Sequence, residues 1–246
     1  MKVSIVIPLY NYVEYIGHCL DTCIRQNYKK DYEIIVVDDG STDQSIFKVK
    51  EYQYKANNIK LIEHGKNKGY SVAKNTGIIA SSGDYITLID ADDMLTLDSI
   101  RVRADFLDKC PTFDFVYGFA YTILGDGNFE YWNARTYKLK IGYKRKKIHS
   151  QTVMVRRTVY EKYGLYDEDL RSKSDNEMWY RLLYNGQINN WRLDGQPLAF
   201  YRRHDLSMIM YRKRNPLYSN EQLRICDMKK ELRLREGITR NNTRFM

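Results

Sequence analysis

With 246 residues, of which 43% are hydrophobic and 29% charged, the chain has the size of one large α/β domain and the balance of a globular protein. That excludes disordered and collagen-like chains, and leaves too little length for two enzyme domains. The formal charge of +9 is unevenly placed: residues 1–130 hold 14 basic against 19 acidic side chains, 131–160 hold nine against none, and 201–246 hold twelve against five, so an anionic partner is expected at the C-terminal half.

Val3-Ser4-Ile5-Val6-Ile7 is a β-branched run halted by Pro8, the pattern of a buried strand. The apolar start is too short for a signal peptide, and no later stretch reaches the ~18 apolar residues of a membrane span. A cytoplasmic location is therefore expected, with peripheral membrane contact as an extension. Tyr12 to Gln26 places Tyr12, Tyr15, Ile16, Cys19, Leu20 and Cys23 at helical spacing. Cys19 and Cys23, with Cys110 and Cys226, form neither a disulfide framework nor paired zinc spacing and read as structural thiols.

Glu33 to Val37 is the second strand, and its end carries Asp38-Asp39-Gly40-Ser41-Thr42-Asp43. Ser45–Tyr54 as helix, Ile59–Glu63 as strand, Ser71–Ala80 as helix and Tyr85–Ile89 as strand continue the alternation. Such a series predicts a mainly parallel, doubly wound sheet with helices on both faces and ligands at the carboxyl ends of its strands. Beyond residue 110 strands are expected near Phe115–Ile123 and Leu198–Arg202, and helices near Thr158–Tyr163, Asp175–Tyr184 and Asn220–Arg235. The expected division is one domain over 1–215, with a nucleotide-binding part of about 1–95 and an acceptor and catalytic part of about 96–215, then a basic helical tail over 216–246.

Polar clusters follow the strands: Tyr10-Asn11 after the first, Asp38-Asp39 after the second and Asp90-Ala91-Asp92-Asp93 after the fourth. Three carboxylates within four residues repel one another unless a cation or solvent intervenes, so a hard divalent ion such as Mg²⁺ or Mn²⁺ and a solvated acidic turn are both open readings.

Ser4 to Asn11, Val37 to Asp43, Ala73-Lys74-Asn75-Thr76-Gly77 and Ile89 to Asp93, in that order, resemble the family 2 glycosyltransferases of the GT-A fold. The resemblance implies an inverting glycosyltransferase that moves a sugar from a nucleotide-diphosphate donor, UDP-sugar by preference, to a glycan, glycolipid or glycoprotein hydroxyl. By it, Pro8, Tyr10, Asn11 and Asp39 hold the nucleobase, with Asp38 in the same pocket. Asp92 ligates Mn²⁺ or Mg²⁺, Asp90 contacts the ribose or a metal-bound water, and Asp93 supports the loop. Lys74 lies near the diphosphate, or is a surface lysine.

Ser174-Asp175-Asn176-Glu177 resembles the family's acidic segment at a helix start, which implies Asp175 as general base with Glu177 as rival. Tyr201-Arg202-Arg203-His204 is similar to its Arg-x-His element, implying a metal or diphosphate role for His204 and a supporting one for Arg202. The basic run Arg135–Lys147 falls in the family's variable acceptor region, which favours a lipid-linked glycan acceptor or a membrane-facing surface over nucleic acid. A sugar-phosphate nucleotidyltransferase is the alternative of another class, but Pro8-Leu9-Tyr10-Asn11 lacks the Gly-rich loop it needs. A non-catalytic nucleotide-sugar or glycan-binding relative is the third reading.

Overall fold

The computed structural model describes residues 1–124, 129–132, 136–138, 144–146, 148–171, 173–184, 188–193, 195–207, 210, 213–218, 220–223, 225, 227 and 228. The first half runs β1 (Val3–Leu9), α1 (Val13–Ile24), β2 (Tyr32–Asp38), α2 (Ser45–Gln53), β3 (Ile59–Glu63), α3 (Tyr70–Ala80) and β4 (Tyr85–Leu88). There follow β5 (Met94–Leu95), α4 (Ser99–Lys109), β6 (Phe115–Tyr117), β7 (Ala120–Ile123), β8 (Phe129–Trp132), β9 (Thr136–Lys138) and β10 (Lys144–Lys146). The last elements are β11 (Met154–Arg156), α5 (Arg157–Tyr163), α6 (Ser174–Tyr184), β12 (Asn190–Arg192) and β13 (Ala199–Arg202).

The main sheet has the order β12-β6-β11-β4-β1-β2-β3. Only β11 runs against its neighbours, so the expected parallel, doubly wound sheet is present. Alternation along β1 explains the two faces. Val3, Ile5, Ile7 and Leu9 join Ile16, Leu20, Val49, Ile100 and Leu107 of α1, α2 and α4. Val6 turns the other way and meets Ile78, Tyr160, Met178 and Trp179 of α3, α5 and α6.

Helix α3 approaches the sheet closely because of Gly77. A Cβ there would lie 2.3 Å from Val6 Cγ1 and 3.2 Å from Val37 Cγ2. The first three strands step outward from β1 to β3, and the chain then returns to place β4 on the opposite side of β1. Loops after β1 and β4 therefore diverge over a crevice at the topological switch point.

Two expectations need correction. Pro8 does not end β1; it pairs in register with Val37. Leu9 C=O accepts from Asp39 on the β2 side and Val6 C=O accepts from Ile89 on the β4 side, so Pro8 faces β4. The β4 register has already closed at Val6↔Leu88, and the missing Pro8 N–H costs no ladder bond there.

The strand expected over Phe115–Ile123 is two strands in different sheets. Gly118 N–H donates to Thr152 Oγ1 at 3.3 Å and the Thr152 hydroxyl is 3.2 Å from Gly118 C=O, which draws the chain off the first ladder. β7 then enters a second sheet of order β5-β13-β7-β8.

The basic run Arg135–Lys147 contributes an antiparallel pair, with Arg145 opposite Tyr137. Its side chains lie outside the described residues, as do residues 229–246 of the expected tail. Within 213–228 the described positions are mainly helical, and Gln222 Oε1 accepts the Arg171 N–H at 3.1 Å. No helix among the described residues is long and apolar enough to cross a membrane.

Candidate active site

The loops after β1 and β2 are fastened together. Asn11, at φ 54°, donates its backbone N–H to Ser41 Oγ at 3.0 Å, and its side-chain oxygen accepts the Thr42 N–H at 2.7 Å. Asp43 receives the N–H groups of Val13 and Ser45, holding the starts of α1 and α2. Asp38 Oδ2 receives Gly40 and Ser41 N–H groups, while its Oδ1 is buried without a partner among the described residues. Gly40 has φ 77° and would place a Cβ 2.5 Å from the Lys66 backbone, so this turn admits only glycine. Tyr10 is 43% exposed at the crevice edge.

Asp39 is placed differently from the nucleobase contact expected of it. Its carboxylate receives the N–H groups of Lys68 and Gly69 at 2.9 and 2.8 Å and meets His64 Nδ1 at 2.8 Å. His64 Nε2 in turn lies 3.0 Å from Thr76 Oγ1. This buried set shapes the loop that leads into α3.

The acidic loop after β4 is not a solvated turn. Asp92 and Asp93 are buried, and ligand atoms of Asp90, Asp92 and Asp93 all lie within 4.8 Å of one another. Asp90 receives the Tyr70 hydroxyl at 2.5 Å and the Gln151 amide at 2.6 Å. Asp93 receives the Arg202 backbone N–H at 2.8 Å, and Arg202 Nε donates to the Asp92 carbonyl at 3.1 Å. His204 Nε2 is 2.8 Å from Asp92 Oδ2, and its ring packs 4.4 Å from Tyr15 and 5.7 Å from Tyr12. Burial, then the Asp92 charge, pushes Asp90 up to about 7, and the same two causes raise Asp93 well above the carboxylate range.

A divalent cation fits this donor set. Clustered carboxylate oxygens on Asp90 and Asp92 and a nitrogen of His204 supply donors that a divalent cation accepts, and a positive charge opposes the burial and the mutual repulsion that raise Asp90 and Asp93. Asp90 has its folded value raised above the ordinary 3.8, so its contribution to stability is lost as pH rises toward and through about 7. A divalent cation held beside Asp90 would have to displace the proton below that range and would meet an ionised group above it. Thermal unfolding at Mn²⁺ near a hundredfold its dissociation constant at pH 8 should show a rise of roughly 5–10 °C. At pH 6, the same Mn²⁺ concentration should give about half of it, since the roughly tenfold lower ionised fraction of Asp90 weakens binding about tenfold; an equal rise at both pH values would refute the coupling.

Asp175 begins α6, and its side chain is 30% exposed. Lys74 is neither a surface lysine nor directed at an open phosphate site, since it is 1% exposed and its ammonium donates to Ser174 Oγ at 2.9 Å and Asp175 Oδ1 at 2.7 Å. Glu177, the rival base, is 1% exposed and accepts from Arg181 Nε at 3.1 Å. Arg181 also donates to the carbonyls of Tyr163, Gly164 and Leu165, so this pair anchors α6.

Tyr70, Gln151 and His64 were not singled out as site residues from sequence. Tyr70 and His64 flank the Ala73–Gly77 motif and the third strand end, which was their available signal; Gln151 had none.

The profile described as glycosyl transferase family 2 matches residues 4–167. The chain belongs to that family. Glycosyltransferase GlyA of Streptococcus pneumoniae serotype 4 is 42% identical over 100 residues, which is 41% of this chain and 14% of GlyA.

Among solved structures, S. aureus TarS 1–349 in complex with UDP-GlcNAc superposes with a TM-score of 0.69 at 22% identity, over 84% of this chain and 60% of that one. Mannosyltransferase PcManGT from Pyrobaculum calidifontis, in complex with GDP-Man and Mn²⁺, gives 0.65 at 17% identity, over 85% and 59%. These likenesses show the shared GT-A fold. The chain spans less than two thirds of the length of each of these three proteins.

Proposed function

We propose that the protein is an inverting glycosyltransferase that moves a sugar from a nucleoside-diphosphate donor to a hydroxyl of a glycan, glycolipid or glycoprotein acceptor. One observation carries the reading: two consecutive turns of α3 hold the acidic loop and the acid of α6, Tyr70 bonding Asp90 and Lys74 bonding Asp175. Residues four apart on a helix lie on one face about 5–6 Å apart, so the donor-side carboxylates and a candidate base meet across one crevice.

In this reading residues of about 1–95 bind the nucleotide and those of about 96–215 the acceptor. Pro8, Tyr10, Asn11 and the unpartnered oxygen of Asp38 line the nucleobase pocket, with Asp39 shaping it from behind. A divalent cation, when bound, would be held by Asp92 and His204 with Asp90 beside them, and would supply positive charge for the departing diphosphate. The chain's own residues do the rest. Asp175 takes the proton of the acceptor hydroxyl as that oxygen bonds to the anomeric carbon. The bond from that carbon to the diphosphate oxygen breaks on the opposite face, which inverts the centre. Arg202 keeps Asp92 and Asp93 in place through its backbone and guanidinium.

UDP-sugars are the first donors to try, because TarS was crystallised with UDP-GlcNAc; GDP-mannose is the second. Incubation with UDP-, GDP- and dTDP-sugars plus Mn²⁺ should release nucleoside diphosphate, by transfer or slow hydrolysis. Pyrophosphate release from a nucleoside triphosphate, with no diphosphate from any sugar donor, would refute it. Peripheral membrane contact and a lipid-linked acceptor extend this reading through the basic run at 135–147.

A further inference from the structure

We propose that Lys74 is a positioning residue for the base, a buried ammonium that orients the Asp175 carboxylate from the nucleotide-side helix, and not a ligand of the donor diphosphate. The inference rests on Asp175 being the base.

An ammonium has three hydrogens to place. Lys74 gives two to Ser174 Oγ and Asp175 Oδ1, and its nitrogen lies 3.7 Å from the Tyr166 ring centre and 4.2 Å from that of Tyr70. Two hydrogen bonds and two ring faces fill the shell of this cation, leaving no direction for a phosphate. Burial lowers the affinity of Lys74 for its proton, and the Asp175 charge acts against that shift.

The pairing is asymmetric. Asp175 is 30% exposed, so water could solvate its carboxylate without a lysine. What the ammonium adds is direction: one oxygen is fixed and the other is left for the crevice. Ser174 matters because it is neutral. An acidic residue there would compete for the same ammonium, whereas a hydroxyl accepts one hydrogen and leaves the charge to Asp175.

The rest of α3 braces the same loop. Ser71 Oγ donates to the Leu170 carbonyl, while Asn75 accepts the Tyr166 N–H at 3.0 Å and donates to its carbonyl at 2.9 Å. Lys74 thus reaches from a rigid helix face to a carboxylate 101 residues away. A base misplaced by ~1 Å costs on the order of 10² in rate.

Lys74→Met has nearly the same length, and its thioether suits the space between two aromatic rings. UDP or GDP binding with Mn²⁺ by calorimetry, and turnover of the corresponding sugar donor, separate the two roles. The expected result is nucleotide affinity and donor KM within twofold of wild type, kcat lower by about 10², and kcat partly restored in Lys74→Arg. Placed on Asp175→Asn, Lys74→Met should lower kcat no further, because the two act as a unit.

Tenfold weaker nucleotide binding with kcat retained would overturn the inference in favour of a diphosphate contact. So would an additive loss in the double variant. If Lys74→Met does not fold, Lys74→Arg at wild-type nucleotide affinity with reduced kcat supports the inference, and weakened affinity with unchanged kcat defeats it. Wild-type protein that releases no nucleoside diphosphate from any donor would overturn the proposed function and this inference together. Loss of nucleotide affinity in an active wild-type background overturns this inference alone.

Discussion

Asp175→Asn should lower turnover by about 10²–10⁴, with nucleotide affinity in the presence of Mn²⁺ within twofold of wild type. Asparagine is the informative replacement because its side-chain oxygen can still accept from Lys74 at the 2.7 Å contact, while the negative charge and the capacity to take a proton are both removed. Glu177 cannot substitute, being buried and bonded to Arg181. The measurement is kcat for nucleotide release, taken with acceptor where one is known and with water otherwise. Near wild-type kcat would eliminate Asp175 as base.

The second large effect concerns the acidic loop. Asp92→Ala removes the carboxylate that faces His204 and, in the proposed function, a ligand of the cation. Metal assistance is worth several kcal/mol of charge stabilisation, so metal-dependent turnover should fall by on the order of 10³ or more. Asp93→Ala removes the acceptor of the Arg202 N–H, which costs roughly 1–3 kcal/mol locally. That cost falls mainly on folding of the loop and only part of it reaches the barrier, so turnover should fall about tenfold or less. Comparing the Mn²⁺ dependence of kcat in the two variants tests the division. Equal losses would show that Asp93 is also a ligand.

The parts of the fold with local causes were legible in the sequence. β-branched runs at Val3–Ile7 and Glu33–Val37 and helical spacing from Tyr12 to Cys23 mark strands and a helix whose partners lie nearby along the chain. The strand-end motifs likewise pointed to the crevice, because a parallel sheet brings such ends together whatever their order.

What was hidden depends on distant neighbours. Strand order, the antiparallel insertion of β11 and the division of Phe115–Ile123 follow from pairings with residues far along the chain. Lys74 shows the same limit at the level of one side chain. A lysine on a short helix reads as surface or phosphate-binding until Ser174 and Asp175 are placed against it. The partners of Asp38 and Asp39 were equally unreadable: both carboxylates are tied down, Asp38 by the adjacent Gly40 and Ser41 N–H groups and Asp39 by His64 and the Lys68 and Gly69 N–H groups, and the Asp39 partners lie far along the chain.

The clasp between α3 and the 166–175 segment bears on how this chain could be recombined. Ser71, Lys74 and Asn75 read like a lock whose key is Tyr166, Leu170, Ser174 and Asp175. A chimaera that imports a foreign half beyond residue 95 inherits a loop cut for another helix, and in the proposed function a graft meant to change donor preference would therefore disturb the acceptor side as well. Exchange would succeed along a boundary that keeps α3 with its matching loop, which places the functional seam of the molecule across the sequence instead of at a single junction.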